Sequence, residues 1–374
     1  MKILIAFGTR PEAIKMCPVI NELKRRKNIE TIVCLTGQHE EMLNQVVEMF
    51  DIEVKYNLHI MKKNQTLSMI TADVLMGMDK ILDLEKPDLV LVHGDTSSSF
   101  SAALAAFYKH IPIGHVEAGL RTYNMLSPYP EEFNRQAVDL ISDLFFAPTQ
   151  LAKIRLKNER KNLSRIYVTG NTVIDALKTT VVEDYHNPVL DACGDDKIIL
   201  LTAHRRENIG SPMENIFNAA CDIVNRHNDV SIIYPIHKNP KVREIAKKIF
   251  NHNEKVKIIE PLDVYDFHNF LNKSYLILTD SGGIQEEAPA LGKPVLVLRD
   301  TTERPEGVEA GTLKLVGTNR ENIYKETEIL LSNKSEYMKM SRAVNPYGDG
   351  KASTRIADII QMYYEEQKTC QKFQ

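Results

Sequence analysis

Short apolar runs rich in β-branched residues alternate with longer amphipathic stretches from one end of the chain to the other. Runs at 3–7, 31–35, 89–93, 113–116, 144–147 and 166–168 read as strands, as do those at 198–201, 231–234, 256–259, 276–279 and 294–298. They are apolar throughout rather than alternating, the pattern of strands covered by helices on both faces of a parallel sheet. Strand–helix repetition of this kind predicts the α/β class. A polar stretch at 184–197 reads as a surface loop between two such sheets, with the covalent crossing slightly earlier, near Gly170-Asn171. A strong turn signal at 345–350 precedes a last helix at 352–366 that is placed to return to the first unit. The expected organisation is a first Rossmann-like unit of 1–170 plus 353–374 and a second of 171–352. Ligands of open α/β sheets collect beyond the carboxyl ends of the strands, so two facing units are expected to hold theirs in a cleft between them.

The loops after the strands carry the polar groups that this rule asks for. Ile277-Leu278-Thr279-Asp280-Ser281-Gly282-Gly283 is an apolar strand running into a glycine-paired turn and a helix start. Backbone N–H groups at such a start form a site for a phosphate, and Glu287, further along, is placed to accept from a sugar diol. Gly8-Thr9-Arg10-Pro11-Glu12 follows the first strand, with Lys15 on the first helical turn. Arg10 and Lys15 are candidate cations for a diphosphate, unless Glu12 pairs with one of them. Asp95 follows the strand at 89–93 and reads either as a helix N-cap or as a reacting acid. Glu117 stands at a strand end, where packing gives a carboxylate no reason to be. Of Glu131 and Glu132, one reads as a helix-start acid and the other as available for chemistry. His204 and His237 stand in consecutive strand-end loops of the second half.

Composition narrows the function classes. The chain has 374 residues, 43% of them hydrophobic and 26% charged, which fits two soluble domains. A net charge of −3 argues against nucleic-acid binding, and Lys24-Arg25-Arg26-Lys27 reads as a solvated helix end. Five cysteines without close spacing fit a reducing cytosol rather than a disulfide framework or a zinc site. The opening apolar run is too short for a signal peptide or a membrane span, so a cytoplasmic protein without a membrane partner is expected. No G-x-G-x-x-G occurs, so a dinucleotide fingerprint is missing, and no His-x-x-x-His spacing suggests a metal.

Together, GTRPEAIKM (8–16), VHGDTSSSF (92–100), GHVEAGLRTYN (114–124), PYPEEFNRQ (128–136), VTGNTVIDAL (168–177), TAHRREN (202–208), the run 278–312 and NPYGDG (345–350) closely resemble the non-hydrolysing UDP-N-acetylglucosamine 2-epimerases. The resemblance covers essentially the whole chain. It implies a GT-B-type fold of two facing Rossmann-like domains, a homodimer, no cofactor, and interconversion of UDP-GlcNAc and UDP-ManNAc through UDP and 2-acetamidoglucal. It implies that Arg10, His204, Ser281, Gly282, Gly283 and Arg304 hold the diphosphate, that Glu287 takes the ribose hydroxyls, and that Phe267 lines the uracil pocket. Leu262 stands where the family tends to be polar, so a base contact there is expected from its backbone. Asp95, Glu117 and Glu131 are the candidates for proton transfer, with Lys15 as their electrostatic partner.

Some members bind a second UDP-GlcNAc as an activator. Here the matching segment is Gln38-His39-Glu40-Glu41, and Asn64 stands at the arginine position. Added acids and a lost cation imply that activation is altered or absent, with Gln38, Arg205 and His237 left as contacts for such a pocket. Alternative readings are a 2-epimerase of a modified UDP-hexosamine, a hydrolysing epimerase releasing ManNAc, a glycosyltransferase, and a non-catalytic sugar-nucleotide sensor that would have lost the acids.

Overall fold

The computed structural model describes residues 1–37, 40–62, 64–251 and 253–371. Contacts divide the chain into two compact units, Met1–Ala176 with Tyr347–Gln374, and Leu177–Pro346. The expected crossings lay at 170 and 353. The helix Thr172–Thr180 accounts for the first offset, because its opening turn belongs to the first unit. Asn171 donates its N–H to the Tyr347 carbonyl at 2.7 Å. Asp175 accepts from the N–H groups of Ala352 and Ser353 at 3.1 and 2.8 Å, which caps the last helix. These bonds draw the returning segment in from Tyr347 onward.

The first unit is a parallel sheet of seven strands: β1 Lys2–Phe7, β2 Glu30–Leu35, β3 Tyr56–Asn57, β4 Leu89–His93, β5 Ile113–Val116, β6 Leu144–Ala147 and β7 Ile166–Val168. They lie in the order β3-β2-β1-β4-β5-β6-β7. The second unit holds β8 Lys197–Thr202, β9 Val230–Pro235, β10 Val256–Ile259, β11 Leu276–Thr279, β12 Val295–Val297 and β13 Leu313–Leu315, in the order β10-β9-β8-β11-β12-β13. The α/β reading with two parallel, Rossmann-like sheets therefore holds. Sequence patterning missed β3 and β13, which are two and three residues long and lie at sheet edges, too short to show a period.

Pleating explains how the sheets are covered. Ile3, Ile5 and Phe7 face one side of β1, where Ala13, Met16 and Ile20 of the helix Arg10–Lys24 meet Ile356 and Ile360 of the last helix. Leu4 and Ala6 face the other side, against Val74 and Met78 of the helix Leu67–Glu85 and Ala102 and Ala106 of the helix Ser97–Tyr108. Each such Leu or Ile withdrawn from water contributes about 1.5–3 kcal/mol. The last helix runs over Ala352–Gln371, longer than the sequence pattern indicated. Its apolar face closes the first unit, so this segment is structural and not a loose tail.

Candidate active site

In each unit the chain first builds outward to one side of its opening strand and then jumps back to the other side. The two switch points lie between β1 and β4 and between β8 and β11. Loops that leave neighbouring strands there diverge, which opens a crevice at their carboxyl ends.

In the first unit this crevice is framed by Glu12. Its Oε2 accepts from the N–H groups of Gly8 and Thr9 at 3.0 and 2.8 Å and from the Thr9 hydroxyl at 2.8 Å. Its Oε1 accepts from the hydroxyls of Thr96 and Ser99 at 2.8 and 2.5 Å. Glu12 thus binds the loop after β1 to the helix start after β4 and is itself buried. Arg10 is half-buried and pairs with no carboxylate among the described residues. Lys15, one turn on, forms an ion pair with Glu117.

Glu117 directly follows β5, with φ of +67°. Its Oε2 meets Lys15 Nζ and Asn171 Nδ2, the latter at 2.9 Å, and lies 3.6 Å from His93 Nε2. Burial pushes its pKa up, but the Lys15 ammonium and His93 outweigh this and hold the carboxyl well below the usual range. The carboxyl is therefore held in its ionised form, the form that can take a proton rather than give one.

Asp95 is not the helix cap. That role falls to Thr96, whose hydroxyl accepts from Ser99 N–H at 3.0 Å, while the Asp95 carboxylate pairs with Arg135. The two glutamates at 131 and 132 both lie in the first turn of the helix Glu131–Ile141 but differ in their surroundings. Glu132 is fully buried and accepts from the N–H groups of Thr122 and Tyr123, each at 2.9 Å. Glu131 is half-buried, and its carboxylate accepts no hydrogen bond from a described residue.

Sequence reasoning missed Arg135, which pairs with Asp95, and a buried network beneath the loops that carry Asp95 and Glu117. Asp139 is fully buried between His115 Nδ1 at 2.6 Å and Arg121 at 2.7 Å, and it accepts from Gly119 N–H at 3.1 Å. His115 Nε2 reaches the Gly94 carbonyl at 2.8 Å, so one network ties the loop of Glu117 to the loop of Asp95. His115 and Arg121 lie inside the quoted motif at 114–124, but only folding brings Asp139 to them.

In the second unit Asp280 plays the framing role. Its Oδ2 accepts from the N–H groups of His204 and Arg205, each at 2.9 Å, and from Asn208 Nδ2 at 3.1 Å. The His204 ring is partly exposed and stacks on His237, with centroids 5.6 Å apart. Burial and the neighbouring His204 lower the His237 pKa. The expectation of free N–H groups after β11 needs a correction at Ser281, whose N–H donates to Thr279 Oγ1 at 3.0 Å. Those of Gly282 and Gly283 bond to no described residue. A Cβ on Gly282 would stand 2.9 Å from Glu303 Oε1 and 3.7 Å from the Arg304 guanidinium, so Arg304 lies close against this turn. Arg304 Nε donates to Glu286 Oε1 at 2.6 Å. Glu287 Oε2 lies 3.6 Å from His268 Nε2, and His268 Nδ1 is 2.7 Å from Thr180 Oγ1. Leu262 and Phe267 are partly buried on the same apolar cluster.

The residues named for an activator pocket fare differently. Gln38 lies outside the described residues. Arg205 is engaged with Glu303 at 2.8 Å and with the Asp280 carbonyl at 2.9 Å. Among the described residues no His, Cys, Asp and Glu group is arranged to hold a metal ion, and no helix is long and apolar enough to cross a membrane.

Two parallel sheets in Rossmann order, with acids past one switch point and cations beside a Gly-Gly turn past the other, define the class of GT-B-type nucleotide-sugar enzymes. The family model for UDP-N-acetylglucosamine 2-epimerase matches residues 21–361. The UDP-N-acetylglucosamine 2-epimerase of Bacillus subtilis (strain 168) is 58% identical over 368 residues, covering 98% of this chain and 97% of that one. A crystal structure from Listeria monocytogenes matches with a TM-score of 0.94 at 55% identity, covering 98% of this chain and 97% of that one. The UDP-GlcNAc 2-epimerase of Neisseria meningitidis, solved bound to UDP-GlcNAc, matches with a TM-score of 0.86 at 47% identity over 97% of this chain and 100% of that one. The chain belongs to the UDP-N-acetylglucosamine 2-epimerase family and is an epimerase.

Proposed function

We propose that this epimerase interconverts UDP-GlcNAc and UDP-ManNAc by eliminating UDP and adding it back. The C2 proton of the sugar has no carbonyl beside it and is too weakly acidic for direct removal. Breaking the C1–O bond, with the electron pair leaving on UDP, builds positive charge at C1 and makes the C2 proton removable. A carboxylate takes that proton and 2-acetamidoglucal forms. Protonation of C2 from the opposite face, with a UDP oxygen rejoining C1, completes the inversion.

The observation that carries this reading is Glu117, a carboxylate held ionised by Lys15 in a protein of this family. Asp95 and Glu131 are the further proton-transfer groups, and His204 supports the departing diphosphate. Arg10, the Ser281 hydroxyl, the N–H groups of Gly282 and Gly283, and Arg304 bind the diphosphate as donors, Glu287 the ribose, and Leu262 and Phe267 the uracil. Donors fixed before the reaction stabilise the charge that develops on the leaving group, and losing one costs about 2.7–4 kcal/mol of barrier.

The protein acts as a homodimer in the cytoplasm, supplying ManNAc units for cell-surface polysaccharide. Exposed Met76, Phe107 and Tyr108 give the helices of the first unit an apolar outer surface suited to a second copy. Cys17, Cys34, Cys193 and Cys221 are free thiols, which suits a reducing compartment. Activation by UDP-GlcNAc is weak or absent, since Arg205 already serves Glu303. A hyperbolic UDP-ManNAc rate curve without added UDP-GlcNAc is expected.

The test is incubation with UDP-GlcNAc in D₂O without any cofactor, followed by proton NMR. UDP-ManNAc carrying deuterium at C2 is expected. Free ManNAc together with UDP, or epimerisation without exchange at C2, would overturn the mechanism.

A further inference from the structure

We propose that Asn171 is a positioning residue for Glu117, the side chain that fixes which carboxylate oxygen takes part in proton transfer. This rests on the reading of Glu117 as a proton-transfer group. All the donors around that carboxylate converge on Oε2: the Lys15 ammonium, Asn171 Nδ2 at 2.9 Å, and His93 Nε2 more distantly at 3.6 Å. Oε1 accepts no hydrogen bond from a described residue. A carboxylate held by one oxygen presents the other with its lone pairs open, as a base requires.

Two hydrogen bonds set the orientation of the Asn171 amide. Its Oδ1 accepts from Val173 N–H at 3.1 Å, at the start of the helix Thr172–Thr180, so its NH₂ must point toward Glu117. The backbone beneath it is fixed as well. Asn171 N–H donates to the Tyr347 carbonyl at 2.7 Å, and a Cβ on neighbouring Gly170 would stand 3.2 Å from Gly348 Cα. The two chain segments pass too closely there for Asn171 to shift, and its side chain is buried. Glu117 needs such an anchor. At φ +67° it occupies the left-handed region, which costs a non-glycine residue about 1–3 kcal/mol and persists only when its surroundings hold it.

Asn171→Asp is the sharpest variant, because it is nearly isosteric and keeps an oxygen for Val173 N–H. It turns the donor into an anion facing Glu117, and a like charge at that distance raises the pKa of the carboxyl. Asn171→Ser removes the donor without adding charge. The experiment measures C2 deuterium exchange and kcat and KM for UDP-GlcNAc across pH for wild type, Asn171→Asp, Asn171→Ser and Glu117→Gln. All rates are taken below the melting temperature of the least stable variant.

For Asn171→Ser, kcat is expected to fall about tenfold to a hundredfold with KM nearly unchanged, the range seen for groups that orient a reacting ligand. For Asn171→Asp, the acidic limb of the pH profile is expected to move up by about one unit or more. A merely structural role would lower melting temperature without moving that limb. If wild type exchanges at C2 and Glu117→Gln does not, while both Asn171 variants keep the wild-type kcat and pH profile, the positioning role is overturned. Absence of exchange in wild type, or wild-type exchange in Glu117→Gln, would overturn the underlying reading instead.

Discussion

Adjacent side chains of the same type take opposite roles here, and their environments decide which. Glu132 has its carboxylate filled by the backbone of Thr122 and Tyr123, whereas Glu131 has no such partner among the described residues. Glu132→Gln should turn an NH₂ toward one of those two N–H donors and lower stability by about 1–3 kcal/mol in denaturant titrations. Glu131→Gln should leave stability near wild type and lower kcat by about 10²–10⁴, as loss of a proton-transfer group does. The resemblance names Glu131 as the proton-transfer candidate, but residue spacing gives no reason to prefer it over Glu132, because the loop at 122–123 becomes a neighbour only on folding. A second residue-scale prediction concerns Glu303. Burial raises its pKa, but a backbone hydrogen bond and Arg299, Arg304 and Arg205 bring it down from 4.5 to about 2. A carboxyl depressed in the folded state adds stability that is complete above its unfolded pKa and is lost as pH falls through the folded value. The stability gap between wild type and Glu303→Gln should therefore be largest at neutral pH and shrink as pH falls from 4.5 toward about 2. An unchanging gap would mean that the carboxylate charge contributes nothing.

Each switch point is built around one buried acid that ties two neighbouring loops together, Glu12 through the hydroxyls of Thr96 and Ser99 and Asp280 through the backbone of His204 and Arg205. Glu12 joins the loop after β1 to the helix after β4, and Asp280 joins the loop after β11 to the one after β8. These acids read from sequence as an ion-pair partner and as part of a turn, and both instead satisfy N–H donors that would otherwise be left bare. Asp175 does the same for the last helix. Asp175→Ala should leave two N–H groups of that helix uncapped in a buried place, at a cost of about 1–3 kcal/mol. The loss should appear as earlier hydrogen exchange in the segment Ala352–Gln371 than in β1. The longer strands were legible because their apolar runs are unbroken, and the edge strands β3 and β13 were not, because two or three residues carry no pattern.

At the scale of the whole molecule, the proposed homodimer would cover apolar side chains left exposed on the first unit. Met76 is 58% exposed and Phe107 50% exposed, on helices whose inner faces are fully used. Light scattering after size exclusion should give twice the chain mass, and Met76→Glu combined with Phe107→Glu should shift the protein toward monomer. A wild-type monomer at micromolar concentration would remove the dimer from the proposal. The sequence by itself determined the α/β class, the pair of parallel sheets, the family, and the residue types gathered past the strand ends. Those features are local or motif-borne: a buried strand needs an unbroken apolar run, and a strand-end loop needs its particular residues in order. Only the tertiary structure decided that Lys15 and Asn171 meet on one oxygen of Glu117, that Thr96 rather than Asp95 caps its helix, and that Asp139 secures His115 and Arg121. These contacts join residues far apart in the chain. Whether an acid is filled or free depends on which donors the fold brings within about 3 Å, and no spacing in the sequence records that.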